Sequence, residues 1–238
     1  MGLTSIISLL ILGLVPSFSW LAFYVHEDPK HPEPKKILFL SFLAGAISTF
    51  AVLPIQIFSI DTFTKYGIEK YSFPSFIFLA GIEEIFKFLA VYLLIHKRKE
   101  FDEPLHAMIY MIASGLGFAA TENIASIFQI AGGDPVNIAV IQTLVLRFMG
   151  ATLLHSLTSG LIGYYWGLSF FKTDNGFILN HHREGFSVFK GVMIATLLHA
   201  IFNYLIITTG PATLAILFVV IVSFFLLSDF EKFKLADT

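Results

Sequence analysis

The sequence predicts an all-α, polytopic transmembrane helix bundle of about seven spans, with the N-terminus outside and the C-terminus cytoplasmic. Three observations predict it. The 238 residues are 56% hydrophobic and only 13% charged, with a mean hydropathy of +0.79, whereas a soluble domain carries about 25% charged residues. Apolar runs of about the 20 residues needed to cross a bilayer recur along the chain. The basic residues between those runs gather on one side. A net charge of -2 gives no argument for nucleic acid. The absence of cysteine excludes thiol catalysis, thiolate metal sites and disulfides.

The runs lie near 4–25, 37–60, 75–95, 105–130, 137–171, 189–209 and 212–228. The first has no basic n-region and no small-residue cleavage site, so it reads as an anchor. Residues 61–74 read as an interfacial piece, with Tyr66 and Tyr71 at headgroup depth. The run at 137–171 is overlong: it is one helix, or two pieces broken near Gly150. "TGPAT" at 209–213 reads as a tight turn. With seven spans, eleven basic residues fall on one side: Lys30, Lys35, Lys36, Lys97, Arg98, Lys99, Lys172, Arg183, Lys190, Lys232 and Lys234. Only Lys65 and Lys70 fall on the other, and this bias sets the orientation. It also favours a single net crossing for 137–171. The whole chain, 1–238, reads as one domain of a multi-pass membrane protein, with the lipid bilayer as its first partner.

Seven ionisable groups remain inside the spans: Glu83, Glu84, Lys87, Glu122, Arg147, His155 and His199. His106 sits at a span entrance. Each such group costs on the order of 3 kcal/mol at the bilayer centre, so they must face the bundle interior and satisfy one another. Glu83 and Lys87 are four apart and Glu84 and Lys87 three apart, so the three share one broad helix face. Phe118 and Glu122 share a face, with Asn123 beside them. His199 and Asn203 do the same, as do His155 and Ser159. Glu83 and Glu122 each lie 8 residues from the outer end of their runs and His199 lies 10. At 1.5 Å per residue these depths are about 12, 12 and 15 Å. Three helices thus offer polar groups at one level in the outer half of the bilayer. A purely structural ion-pair network and a proton- or cation-coupled transporter use the same groups, and both remain open here.

Read as a catalytic site, the cluster excludes several chemistries. An aspartyl mechanism needs two aspartates in spans, and there are none. The zinc motif H-E-x-x-H is absent. "IASG" at 112–115 and "LTSG" at 157–160 lack the preceding glycine of G-x-S-G. What remains is hydrolysis driven by a carboxylate that activates water, with His and Asn donors at the oxyanion.

Four motifs occur in order on successive spans: "EEIFK", "FAATEN", "HSLTSG" and "HAIFN". This set resembles the PrsW family of intramembrane proteases, distantly related to the CAAX-processing (ABI) proteases, over residues of about 75 to 205. In the CAAX-type relatives the second motif ends in His where Glu122 stands here, and Lys87 stands near their Arg. The resemblance implies a glutamic-type peptidase of a prokaryotic cell membrane with its catalytic core in that stretch. It implies a single-pass or other membrane-anchored protein substrate, an anti-sigma factor among the examples, cut near the extracytoplasmic side. It also leaves open a regulatory or immunity protein without proteolysis. The roles that follow are Glu83 or Glu84 as the base on water, and Glu122 sharing that water or protonating the leaving nitrogen. His199 and Asn203 are oxyanion donors, and His155 is a second donor. Lys87 balances charge, Arg147 balances the glutamates or binds a lipid phosphate, and Asn123 and Phe118 support. Phe118, Ser159 and Gly160 are foremost helix-packing residues. No cofactor is expected. A zinc ion on His155, His199 and the glutamates is the second choice. His181 and His182 read as part of a solvated loop, with a weak metal site as the lesser choice.

Overall fold

A computed structural model describes residues 2–27, 34–132, 134–135, 137–173, 176–209 and 212–236. Lys30, the Gly210–Pro211 turn and the final Thr238 lie outside the described residues. The elements are α1 (Leu3–Glu27), α2 (Lys35–Lys65), α3 (Phe73–Ile95), α4 (Pro104–Ile130), α5 (Ile138–Leu146), α6 (Leu153–Gly167), a hairpin of β1 (Phe170–Thr173) and β2 (Gly176–Leu179), α7 (His181–Thr208) and α8 (Thr213–Ala236). The all-α bundle is as the sequence predicts. Among the described residues, six helices are long and apolar enough to cross a membrane. The seventh expected span is α3. Its 23 residues match the others in length, and Glu83, Glu84 and Lys87 set it apart in composition.

α4 is the axis of the bundle. It is buried almost throughout and packs against α1, α2 and α6. Glycines bring its neighbours close: a Cβ on Gly117 would overlap the carbonyl of Phe42 on α2, and one on Gly115 would overlap the carbonyl of His155 and the Ser159 hydroxyl on α6. Small residues at helix crossings let backbones approach within lipid, which is the packing role expected of Ser159. The outer helices expose Phe50, Phe58, Phe224 and Phe225, each at least 69% accessible. Such a belt suits hydrocarbon.

Prolines start two of the inner helices. Pro74 stands in the first turn of α3 and Pro104 in that of α4, where a missing N–H costs nothing. Asn137 and Asn180 cap α5 and α7 by accepting from the backbone N–H of Ala139 and His182.

Three boundaries differ from the sequence expectation. The overlong run is one continuous helix from Ile138 to Gly167. Of the two alternatives the unbroken one holds: near Gly150 a π-helical stretch, Arg147–Thr152, joins α5 to α6 without ending the helix. Residues 168–171 leave the helix, and Phe170 opens an antiparallel hairpin in which it pairs with Leu179. α7 starts at His181 rather than 189, so the expected 172–190 loop is a hairpin followed by two helical turns. The cause is Glu184, which accepts a hydrogen bond from Trp166 Nε1 at 2.8 Å and pairs with His181 at 2.9 Å, anchoring the first turn of α7 on α6. Between α2 and α3 the interfacial piece shortens to residues 66–72, where Tyr66 and Tyr71 are exposed.

Candidate active site

α3 carries three ionisable side chains to the interior, Glu83, Glu84 and Lys87, all buried. Glu84 Oε1 accepts from Lys87 Nζ at 2.6 Å, from His199 Nδ1 at 2.7 Å and from Thr158 Oγ1 at 3.1 Å. Three donors on one oxygen make Glu84 the most tightly held carboxylate of the group. Glu83 is held more loosely. Its Oε1 accepts from Gln56 Nε2 at 2.7 Å, and its Oε2 lies 3.7 Å from His199 Nε2 without a hydrogen-bond partner.

α4 and the helix that follows supply the second half. Glu122 Oε2 is 3.0 Å from Arg147 Nη2 and 3.0 Å from His155 Nε2. Asn123 donates to Thr152 Oγ1 at 3.0 Å and accepts from Arg147 Nε. Arg147 therefore spans two consecutive residues of α4 from the first position of the π-helical stretch. His155 Nδ1 meets Lys87 Nζ at 3.1 Å. An ammonium offers donors only, so Nδ1 accepts and the Nε2–H donates to Glu122. The chain Glu122–His155–Lys87–Glu84–His199 thus links α4, α6, α3 and α7.

The rings complete the packing. His155 and His199 stand edge to face with centroids 5.0 Å apart, and Phe118 lies 5.5 Å from His155 with Lys87 Nζ 5.2 Å from its ring. Phe118 is 1% exposed, which agrees with its packing role. A cavity of about 410 Å³ opens beside the cluster, lined by Glu83, Glu122, His155, His199 and Asn203. Neither Glu84 nor Lys87 reaches that cavity. Asn203 lines it without a hydrogen-bond partner among the described residues. Glu83, Glu84, Lys87, Phe118, Glu122, Asn123, Arg147, His155, His199 and Asn203 thus gather at one site, with Asn203 lining its cavity rather than bonded to the others, whereas His106 lies against Asp102 and His181 pairs with Glu184 away from it.

One ligand atom from each of Glu83, His155 and His199 lies within 4.8 Å of the others. One carboxylate and two imidazoles form a donor set that catalytic zinc accepts. His199 is already oriented for it, because Glu84 holds Nδ1 and leaves Nε2 toward Glu83. Glu83 Oε2 has no hydrogen-bond partner among the described residues for an ion to displace. An ion would have to displace Lys87 or Glu122 from one ring nitrogen of His155. The residues fit a divalent metal. Among the described residues, no comparable group forms at His181 and His182.

Sequence reasoning passes over Gln56, Thr152 and Thr158. Gln56 stands in "LPIQIF", the only amide in its apolar run. Thr158 lies inside "HSLTSG", one helical turn from His155, and that spacing was its signal.

A family model described as "PrsW family intramembrane metalloprotease" matches residues 33–228. Curated relatives named "Protease PrsW" are similar over most of the chain. That of Geobacillus kaustophilus is 25% identical over 84% of this chain and 80% of its own length. That of Oceanobacillus iheyensis is 26% identical over 84% and 83%, and that of Clostridioides difficile 26% identical over 95% and 92%. No solved structure matches. The matched region contains all of the buried cluster, and the chain belongs to the PrsW family of intramembrane proteases.

Proposed function

We propose that this peptidase cleaves a membrane-anchored protein, single-pass or otherwise, near the extracytoplasmic side, with Glu83 as the base that activates water. One observation carries the choice of Glu83 over Glu84: each has an Oε2 without a partner among the described residues, but only Glu83 lines the cavity, with its Oε2 3.7 Å from His199 Nε2, close enough for one water to bond both. Glu84 is engaged by three donors and lies outside the cavity lining. Its role is to position His199 and to compensate Lys87.

In this mechanism Glu83 takes a proton from the water, and the water oxygen attacks the scissile carbonyl carbon. Asn203, which lines the cavity, supplies a donor to the oxyanion, while His155 holds Glu122 and Lys87 in place. Collapse breaks the C–N bond as Glu83 delivers to the leaving nitrogen the proton it took from the water. Arg147 holds Glu122 and Asn123 in register, and with Lys87 offsets the charge of three carboxylates. No cofactor is required. The eleven-to-two distribution of basic residues supports a cytoplasmic C-terminus and thus the outer-half depth of the site. An anti-sigma factor is one substrate of the right class.

A second reading is favoured by the donor set of Glu83, His155 and His199 and by the word "metalloprotease" in the family's description. A divalent ion held there would polarise the carbonyl and acidify water as a Lewis acid. Glu84 would then orient His199, and Glu122 would handle protons.

The test uses purified protein in liposomes with a single-pass substrate on one arm and a proton-flux dye on the other. A cleaved fragment without proton movement is the expected result. Proton or cation flux with an intact substrate would replace the protease by a transporter.

A further inference from the structure

A second cavity, of about 330 Å³, lies between α2 and α4 on the far side of the Glu122–Arg147 pair. Both residues line both cavities, so the ion pair is the partition between them. Gln56 lines the second cavity while its Nε2 bonds Glu83 of the first. The two spaces therefore meet at the reacting groups, and each reaches the lipid-facing surface. The first does so beside Leu146 and Ile207, the second beside Phe50 and Leu53.

Away from the charged cluster the two differ in which polar groups they offer. The first is walled by Leu154, Phe202, Ile206 and Ile207, with Thr143 and Asn203 as its polar groups. The second sets Thr49, Gln56, Thr121 and Ser126 among Phe50, Val52 and Leu53, and the buried Thr49 hydroxyl has no partner among the described residues. A peptide can be cut only once it leaves its helix. Inside a membrane its freed N–H and C=O groups then need partners from the protein. Thr49, Ser126 and the Gln56 carbonyl can provide them on one side, and Asn203 on the other.

We infer that the two cavities are the subsites on either side of the scissile bond, with the substrate extended across the Glu122–Arg147 pair. Its bulky apolar flank occupies the cavity between the 138–167 helix and α7, and its small polar flank occupies the cavity between α2 and α4. This rests on the protease reading above. It adds a substrate class: a segment in which bulky apolar residues give way to small polar ones at the cut.

The chain has no cysteine, so single cysteines report cleanly. The bond cut by the wild-type protein is first mapped by mass spectrometry. Ser126→Cys and Ile206→Cys are then placed separately in a Glu83→Gln background and oxidised against substrates with one cysteine on either flank. Ser126→Cys should capture only the polar flank and Ile206→Cys only the apolar one. In the active protein, Ser126→Trp should lower kcat/KM by about tenfold, with recovery when the facing substrate residue is glycine. Capture of the same flank by both cysteines, or of the flanks in reverse, overturns the inference. So does capture by Ile206→Cys alone, which would mean that lipid fills the second cavity. A wild-type protein that cuts nothing removes the protease reading itself, and the inference with it.

Discussion

Glu84 and His199, 115 residues apart in the chain, meet at 2.7 Å in a fully buried contact between α3 and α7. That contact fixes one imidazole nitrogen and leaves the other toward Glu83. Two adjacent glutamates of one helix turn thereby have different surroundings: Glu84 is bonded into the network and Glu83 lines the cavity.

Glu84 and Lys87 are both fully buried, so removing either leaves the other uncompensated. Breaking a buried pair in this way costs about 3–5 kcal/mol. Lys87→Met and Glu84→Gln should both lower the melting temperature of the detergent-solubilised protein as well as its activity. Thermal melts identical to wild type would remove the pair from the structural account.

Asn203 should behave oppositely, because among the described residues it has no hydrogen-bond partner to strand. Asn203→Ala should reduce the cleavage rate by about 10²–10³ with an unchanged melting temperature. Melting and turnover measured on one preparation separate this from a structural role, in which the protein melts earlier and its folded fraction cleaves normally.

Arg147 reaches Glu122 through Nη2 and Asn123 through Nε. A lysine keeps the charge and cannot form that two-pronged contact. Arg147→Lys should therefore lower kcat while the protein remains folded. Wild-type kcat in Arg147→Lys would mean that charge alone is needed.

The two readings of the catalytic water differ in metal content. Elemental analysis of active, purified protein should find no stoichiometric zinc under the metal-free mechanism. Stoichiometric zinc, lost with activity on chelation and regained with it on readdition, would establish the second reading with Glu83, His155 and His199 as ligands.

The cluster was legible in the sequence because ionisable groups in apolar spans are expensive and stand out. Glu83, Glu84, Lys87, Glu122, Arg147, His155 and His199 could be collected one by one, and helix spacing grouped them. Gln56, Thr152 and Thr158 were not legible, because uncharged polar residues cost far less in a span and have many reasons to be there. The centrality of α4 was hidden for a different reason. Leucine and alanine serve equally against lipid and against another helix, so composition does not distinguish an inner helix from an outer one. The hairpin at 170–179 and the early start of α7 were obscured by polar residues that read as a loop until Glu184 is seen bonded to Trp166.

In the proposed mechanism everything turns on Glu83 driving hydrolysis at a buried site. The most direct measurement is the rate at which a fragment appears from a single-pass substrate, for wild type and Glu83→Gln, on preparations whose melting curves are matched. The amide keeps the shape and cannot act as base, so the account predicts a folded Glu83→Gln protein with no fragment above background. A folded Glu83→Gln protein that cleaves at the wild-type rate would contradict it.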